Sequence, residues 1–283
     1  MQVKTIETIQ IQQPNLIQTD QLGFSILASG SSGNCTYIET SQQKILVDAG
    51  FSGKKVEGLL AQIDRKMDEI DAIFVTHEHS DHIQGVGVLS RKYNLPVYAN
   101  QKTWLAMDKN IGIVKDENRR YIEADHMLTL GDLDIMPYNV SHDAISPQFY
   151  AFQKGQKQFV MLTDTGYVSD KLRQLLVNAD AYLIESNHEI EMLRYGQYPW
   201  SLKQRILSDK GHLSNEDGAF AMLDMIGEST RDVYLGHLSR DNNTKQLAMS
   251  AMEDILSQND IDIQNTIKLH MTDPEIACPI RLI

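Results

Sequence analysis

Residues 76–86 read THEHSDHIQGV. His77, His79, Asp81 and His82 fall within six positions of a chain that has nine histidines in all. Just before them, DAIFV (71–75) is a short continuous apolar run, as expected of a strand buried on both faces. Just after them, 83–94 (IQGVGVLSRKYN) reads as a helix and 95–100 (LPVYAN) as the next strand. The cluster therefore sits where a strand ends and a helix begins, the edge of a layered α/β fold at which ligands collect.

Imidazole and carboxylate are ligand groups for Zn²⁺, Mn²⁺ and Fe. In HEHSDH the first two histidines alternate along extended chain and can point the same way. Asp81 and His82 follow at the turn into the helix, so the four side chains can diverge toward two adjacent ions. A plain helix-capping loop needs one Asp or Ser and has no use for three histidines.

Working outward, apolar runs predict strands at 23–28, 36–39, 44–49, 133–140, 149–153, 158–162, 181–184 and 232–235. Helices are expected after Ser52, with Val56, Leu59, Leu60 and Ile63 on one face, and over 170–177, 216–226 and 245–258. Strands 23–28 and 36–39, joined by a loop of small residues, read as an N-terminal sheet edge. The whole reads as two sheets with helices outside them. Further ligand types recur where strands end. VSHDA places His142 after 133–140, MLTDTGY places Asp164 after 158–162, and YLGHLS places His237 after 232–235.

Bulk properties narrow the function classes. The chain has 283 residues, enough for a substantial core. We expect 1–21, a Gln-rich start without an apolar face, to be a peripheral or flexible extension, and 22–283 to form one domain. The start lacks the apolar stretch of a signal peptide, and no run is long enough to span a membrane. Cys35 and Cys278 are the only cysteines, which fits free thiols in a reducing cytoplasm. A net charge of −12 argues against holding nucleic acid by general electrostatics, though not against a local basic groove or bound divalent metal. The basic material nearest the later motifs lies at Arg194, Lys203, Arg205 and Lys210.

Taken together, THEHSDH, SH, TDTG and GHLS, in this order, resemble the metallo-β-lactamase superfamily of dinuclear hydrolases. The resemblance covers almost the whole chain from about Leu22 and implies an α/β fold, the four-layer αββα sandwich. It implies that His77, His79 and His142 bind one metal, that Asp81, His82 and His237 bind the other, and that Asp164 bridges them. Three more segments, ASGSSGNCTYIE, LIESNHE (183–189) and DKGHLSNEDGA (209–219), resemble the WalJ/YycJ (VicX)-like group. That group is related to the branch containing ribonucleases Z and J, in which an acid and a histidine flank the metals. The matching residues are Glu185 and His212.

The resemblance implies two divalent ions, Zn²⁺ or Mn²⁺ or else Fe, and a nucleic acid substrate, DNA rather than RNA, degraded from the 5′ end. A hydroxide held between two metals is nucleophilic at neutral pH. His212, Glu185 and Asp81 are the catalytic candidates, with His212 as general acid oriented by Glu185. Substrate contacts are expected from Ser31, Ser32 and Asn34, in a loop whose N–H groups and hydroxyls suit a phosphate, and from Asn187. His188 is either a neighbour of the site or a surface residue. Two other readings remain open: a small-molecule hydrolase acting on a thioester, lactone, β-lactam or cyclic phosphodiester, and a diiron redox protein. The latter's relatives carry Glu where this chain has His79. The large insert of ribonuclease J has no room between Asp164 and His237, and the Gly/Pro-rich arm of ribonuclease Z is not seen.

Overall fold

A computed structural model of the chain describes residues 20–263 and 265–283. The extension expected over 1–21 lies, apart from Asp20 and Gln21, outside the described residues. The first half runs β1 (Gly23–Ala28), β2 (Cys35–Glu39), β3 (Lys44–Val47), α1 (Gly53–Ala61), β4 (Ala72–Phe74), α2 (Ser80–Ile83), α3 (Val86–Tyr93), β5 (Val97–Ala99), α4 (Gln101–Ile111) and β6 (Arg119–Tyr121). The second half runs β7 (Leu128–Leu130), β8 (Leu133–Asn139), β9 (Gln148–Lys154), β10 (Lys157–Leu162), α5 (Asp170–Leu175), β11 (Ala181–Glu185), α6 (Ile190–Tyr195), α7 (Trp200–Ile206), α8 (Asn215–Met225), β12 (Asp232–Gly236), α9 (Lys245–Gln258), β13 (Lys268–Met271) and β14 (Arg281–Leu282).

The strands form two seven-stranded sheets, ordered β14-β1-β2-β3-β4-β5-β6 and β13-β12-β11-β10-β9-β8-β7. Each sheet is antiparallel in one part and parallel in the other, the change falling at β3 and at β10. Three apolar clusters define the layers. One joins the first sheet to α1, α3 and α4 through Val56, Leu60, Leu89 and Trp104. A second joins the other sheet to α8 and α9 through Met222, Met225, Met252 and Leu256. The third fills the space between the sheets, where Phe24 stacks on Phe159 at 4.0 Å and Phe74 meets Tyr150 edge-on at 5.7 Å. Fully burying one such side chain is worth about 2 kcal/mol. This is the four-layer αββα sandwich that the strand pattern and the motifs led us to expect.

The structure departs from the sequence reading in three places. Hairpin β1–β2 is not the sheet edge, because β14 pairs with β1 through Gly23↔Leu282 and Phe24↔Arg281. The helix expected over 83–94 starts only at Val86, as α3, and the short helix α2, which was not expected, precedes it across Gln84 and Gly85. The break follows from packing: Gly85 N–H donates to the Ala49 carbonyl at 2.8 Å, and a Cβ there would lie 2.3 Å from the Phe51 carbonyl oxygen. Helices α4, α6 and α7 and strands β6, β7, β13 and β14 are additional to the expected set.

The sandwich brings to one end the residues that follow its parallel strands: Asp48 after β3, His77 after β4, Asp164 after β10 and His237 after β12, with Glu185 closing β11. Asp48, Asp164 and His237 adopt left-handed backbone with φ of 60°, 58° and 54°. This conformation disfavours residues with a Cβ by roughly 1–2 kcal/mol each, and such strain collects at functional sites.

The same end depends on Gly50. Its N–H donates to the Asn34 carbonyl at 2.9 Å, while the Asn34 N–H donates to the Asp81 carbonyl at 2.8 Å. A Cβ at Gly50 would stand 1.7 Å from that Asp81 oxygen. Gly50→Ala should therefore displace α2. We expect a loss of about 1–3 kcal/mol in denaturant unfolding together with reduced divalent-ion content. Unchanged values for both would contradict this packing.

Candidate metal centre

Five imidazoles converge at the strand ends, and in each one nitrogen is held from outside. His77 Nδ1 lies 3.0 Å from Thr76 Oγ1. His79 Nε2 lies 2.9 Å from the Asp143 carbonyl. His82 Nδ1 lies 2.8 Å from Asp48 Oδ2. His142 Nδ1 lies 3.1 Å from the Gly211 carbonyl, and His237 Nδ1 lies 2.9 Å from Glu185 Oε1. An outer acceptor fixes both the ring's direction and its tautomer, leaving the other nitrogen's lone pair to point inward.

The inward nitrogens gather in two groups. His77 Nε2 is 3.0 Å and His142 Nε2 is 3.4 Å from His79 Nδ1. In the second group His82 Nε2 lies 3.5 Å from Asp81 Oδ2, and His237 Nε2 lies 3.9 Å from the same oxygen. Asp164 stands between them, 3.9 Å from His142 Nε2, 3.5 Å from His82 Nε2 and 3.4 Å from His237 Nε2. A tetrahedral centre with metal–nitrogen distances near 2.1 Å places its donors about 3.4 Å apart. Asp164 Oδ2 and His237 Nε2 are buried with no hydrogen-bond partner, an arrangement that a cation would satisfy. These donor sets fit divalent metal.

The electrostatics divide the rings into two pairs. His77 and His142 are held below the usual imidazole range, first by burial and then by neighbouring imidazoles, which favours the neutral ring that metal coordination requires. At His82 and His237 burial opposes charge, but carboxylates outweigh it. Asp164, Asp48 and Asp81 raise His82 well above its ordinary value, and Asp164, Asp81 and Glu185 push His237 up to about 10. Burial raises Asp48, while the adjacent imidazoles hold Asp81, Asp164 and Glu185 below the usual carboxylate range against their own burial. Four acidic groups around one small volume make a strongly cation-seeking field.

Two further residues flank the donor set, His212 at its rim and Glu185 beneath it. Glu185 is fully buried, its Oε2 accepting from Thr165 N–H at 2.9 Å and its Oε1 shared between His237 and His212. His212 Nδ1 lies 2.7 Å from that Oε1, and the ring is 22% exposed. Its Nε2 thus faces the mouth.

The other expected contacts take varied places. Ser31 and Ser32 are exposed and line a cavity of about 550 Å³ together with Ser80, Asp81 and Lys109. Asn34 is buried, its amide nitrogen 3.2 Å from the Gly30 carbonyl and 3.1 Å from His82 Nε2. Asn187 is buried too and donates to the His237 carbonyl at 2.8 Å. His188 is a neighbour of the site, not a surface residue: it is buried, and burial lowers it to about 4. Sequence reasoning missed Asp48, Thr76 and Ser29, whose Oγ accepts from His237 N–H at 2.8 Å. The signal for Asp48 was VDAG at a strand end, the same placement as Asp164.

Comparison with known proteins agrees with this geometry. Residues 43–238 match the family described as the beta-lactamase superfamily domain. The chain belongs to the metallo-β-lactamase superfamily. Within the superfamily it is 56% identical to exodeoxyribonuclease WalJ of Streptococcus pneumoniae, over 92% of this chain and 98% of that protein. It is 47% identical to exodeoxyribonuclease YycJ of Bacillus anthracis, over 93% and 99%. These two place it in the WalJ/YycJ group. The crystal structure of the metallo-β-lactamase-fold protein YhfI from Bacillus subtilis superimposes with a TM-score of 0.69 at 16% identity, covering 92% of this chain and 99% of that one, a likeness of fold.

The Asp48 contact predicts a measurable effect. Asp48→Asn should keep the fold but weaken divalent-ion affinity by roughly 10–100-fold, read by competition with a chromogenic chelator. Wild-type affinity would show that His82 needs no such support.

Proposed function

We propose that this chain is a dinuclear-metal-dependent phosphodiesterase acting on DNA, a 5′-to-3′ exonuclease. In this reading His77, His79 and His142 hold one ion, and Asp81, His82 and His237 the other, with Asp164 between them. Zn²⁺ and Mn²⁺ both suit these donors. When bound, the ions supply Lewis acidity for activating water and for neutralising charge on the phosphoryl group.

The observation that carries the reading is the His212–Glu185 pair flanking the donor set. A leaving 3′ or 5′ alkoxide needs a proton. Glu185 accepts from Nδ1–H of His212 and so orients the ring, which leaves Nε2 free to hand a proton to that leaving group. By sharing Oε1 between His212 and His237, Glu185 also fixes the distance from the proton donor to the ligand set. The names of the WalJ and YycJ relatives support DNA as the substrate. Among the described residues no helix is long and apolar enough to cross a membrane, and both cysteines are free, which supports a cytoplasmic place of work.

The test is degradation of end-labelled single- and double-stranded DNA with Mn²⁺ and with Zn²⁺. Wild type should shorten DNA stepwise from the 5′ end, and Asp164→Ala should abolish this. His212→Ala should retain its metal yet lose about 10²–10⁴-fold in turnover. Metal-loaded wild type that leaves all DNA intact would refute the proposal. A His212→Ala variant with full turnover would refute the acid role.

A further inference from the structure

Between Glu185 and His212 the chain makes an arm, α6 and α7, that the chemistry above does not use. The arm runs alongside the loops that carry the candidate ligands. Its C-terminal part reaches the loops carrying two candidate ligands: Arg205 Nε lies 2.5 Å from Asp143 Oδ2, next to His142, and the Gly211 carbonyl meets His142. Gly166, two residues after Asp164, packs on Asp209 so closely that a Cβ would sit 2.2 Å from its carbonyl. Its N-terminal part reaches the loop after His237, where Tyr198 Oη donates to Asp241 Oδ2 at 2.9 Å and Glu189 N–H donates to the Asn242 carbonyl at 2.9 Å.

The arm is also stiff. Lys203 is buried and donates to the carbonyls of Arg194 and Gly196 at 2.8 and 2.7 Å, tying α7 back to the end of α6. On this framework two aromatic rings stand in solvent, Tyr195 at 83% and Trp200 at 66% exposure. Exposing an indole forgoes the burial that such a ring usually finds. Arg194 is paired with Glu191 at 3.0 Å and Arg205 with Asp143, whereas Lys210, at the end of the arm, and Arg240, in the loop after His237, are exposed. Along α7, at 3.6 residues per turn, Gln204 lies about 40° from Trp200 and shares its face.

Exposed aromatics on a braced arm beside a phosphodiester site are the elements of a base-stacking platform. We propose that Trp200, supported by Tyr195, stacks on an unpaired base of the DNA strand held at the metal centre, while Lys210 and Arg240 follow its backbone. Trp200 is then a substrate-positioning residue. The inference rests on the functional reading above and adds to it where the strand lies.

The chain has two tryptophans, and Trp104 is buried at 1% exposure, so quenching by acrylamide reports on Trp200. In the Mn²⁺-loaded protein, a single-stranded phosphorothioate oligonucleotide should quench Trp200 emission and shield it from acrylamide. Trp200→Ala should raise KM for single-stranded DNA by about 10-fold or more. It should leave kcat, and hydrolysis of bis-p-nitrophenyl phosphate, unchanged, and Trp200→Phe should restore most of the affinity. An unchanged KM in Trp200→Ala, or unaltered Trp200 emission in wild type that binds and degrades DNA, would overturn the platform. Wild type that neither binds nor degrades DNA would overturn the functional reading itself, and the platform with it.

Discussion

A carboxylate behind an imidazole is the contact on which the site depends. Asp48 fixes His82, and Glu185 fixes both His237 and His212, each through Nδ1. These contacts decide which nitrogen of each ring looks inward, and so whether the rings can share an ion or merely crowd one another. Burial makes the contacts strong, since Asp48 and Glu185 are fully removed from water. It also makes them demanding, because an unpaired carboxylate in that position is costly. The sandwich meets the demand with backbone as well: Thr76 N–H and Thr165 N–H donate to the two acids at 2.9 Å each.

That constraint explains features of the fold that look unrelated. Asp48, Asp164 and His237 accept left-handed backbone because each must turn its side chain into the gap just as its strand ends. Gly50 and Gly85 admit the loops that satisfy the carbonyls of Asp81 and His82 and, in doing so, keep α2 separate from α3. Ser29 reaches from the first sheet to the backbone of His237 in the second, so the two sheets are joined at the site as well as through their core.

Much of this was legible in HEHSDH, because three histidines in six positions answer a need for ligands and little else. His142, Asp164 and His237 were legible for a related reason: each interrupts an apolar run where a strand should stop. Asp48 was not, since a single Asp closing KILV has the same appearance whether it caps a strand or orients His82; only the 2.8 Å contact separates these. Strands β13 and β14 lie at sheet edges, and β14 pairs Leu282 with Gly23, so local pattern carries little of the information that forms them. Helices α6 and α7 are short and separated by Gly196 and Pro199, and what holds them is Lys203 on two carbonyls, a tertiary contact. Helix α4 had a readable cap in Asn100 and a buried face of Trp104, Met107 and Ile111.

The most direct test of the account is the location of metal in crystals grown with Mn²⁺ or Zn²⁺, read by anomalous scattering. The account predicts two peaks per chain. One should be coordinated by His77 Nε2, His79 Nδ1 and His142 Nε2. The other should be coordinated by Asp81, His82 Nε2 and His237 Nε2, with Asp164 touching both. A single peak, or coordination through the nitrogens here assigned to Thr76, Asp143, Asp48, Gly211 and Glu185, would contradict it.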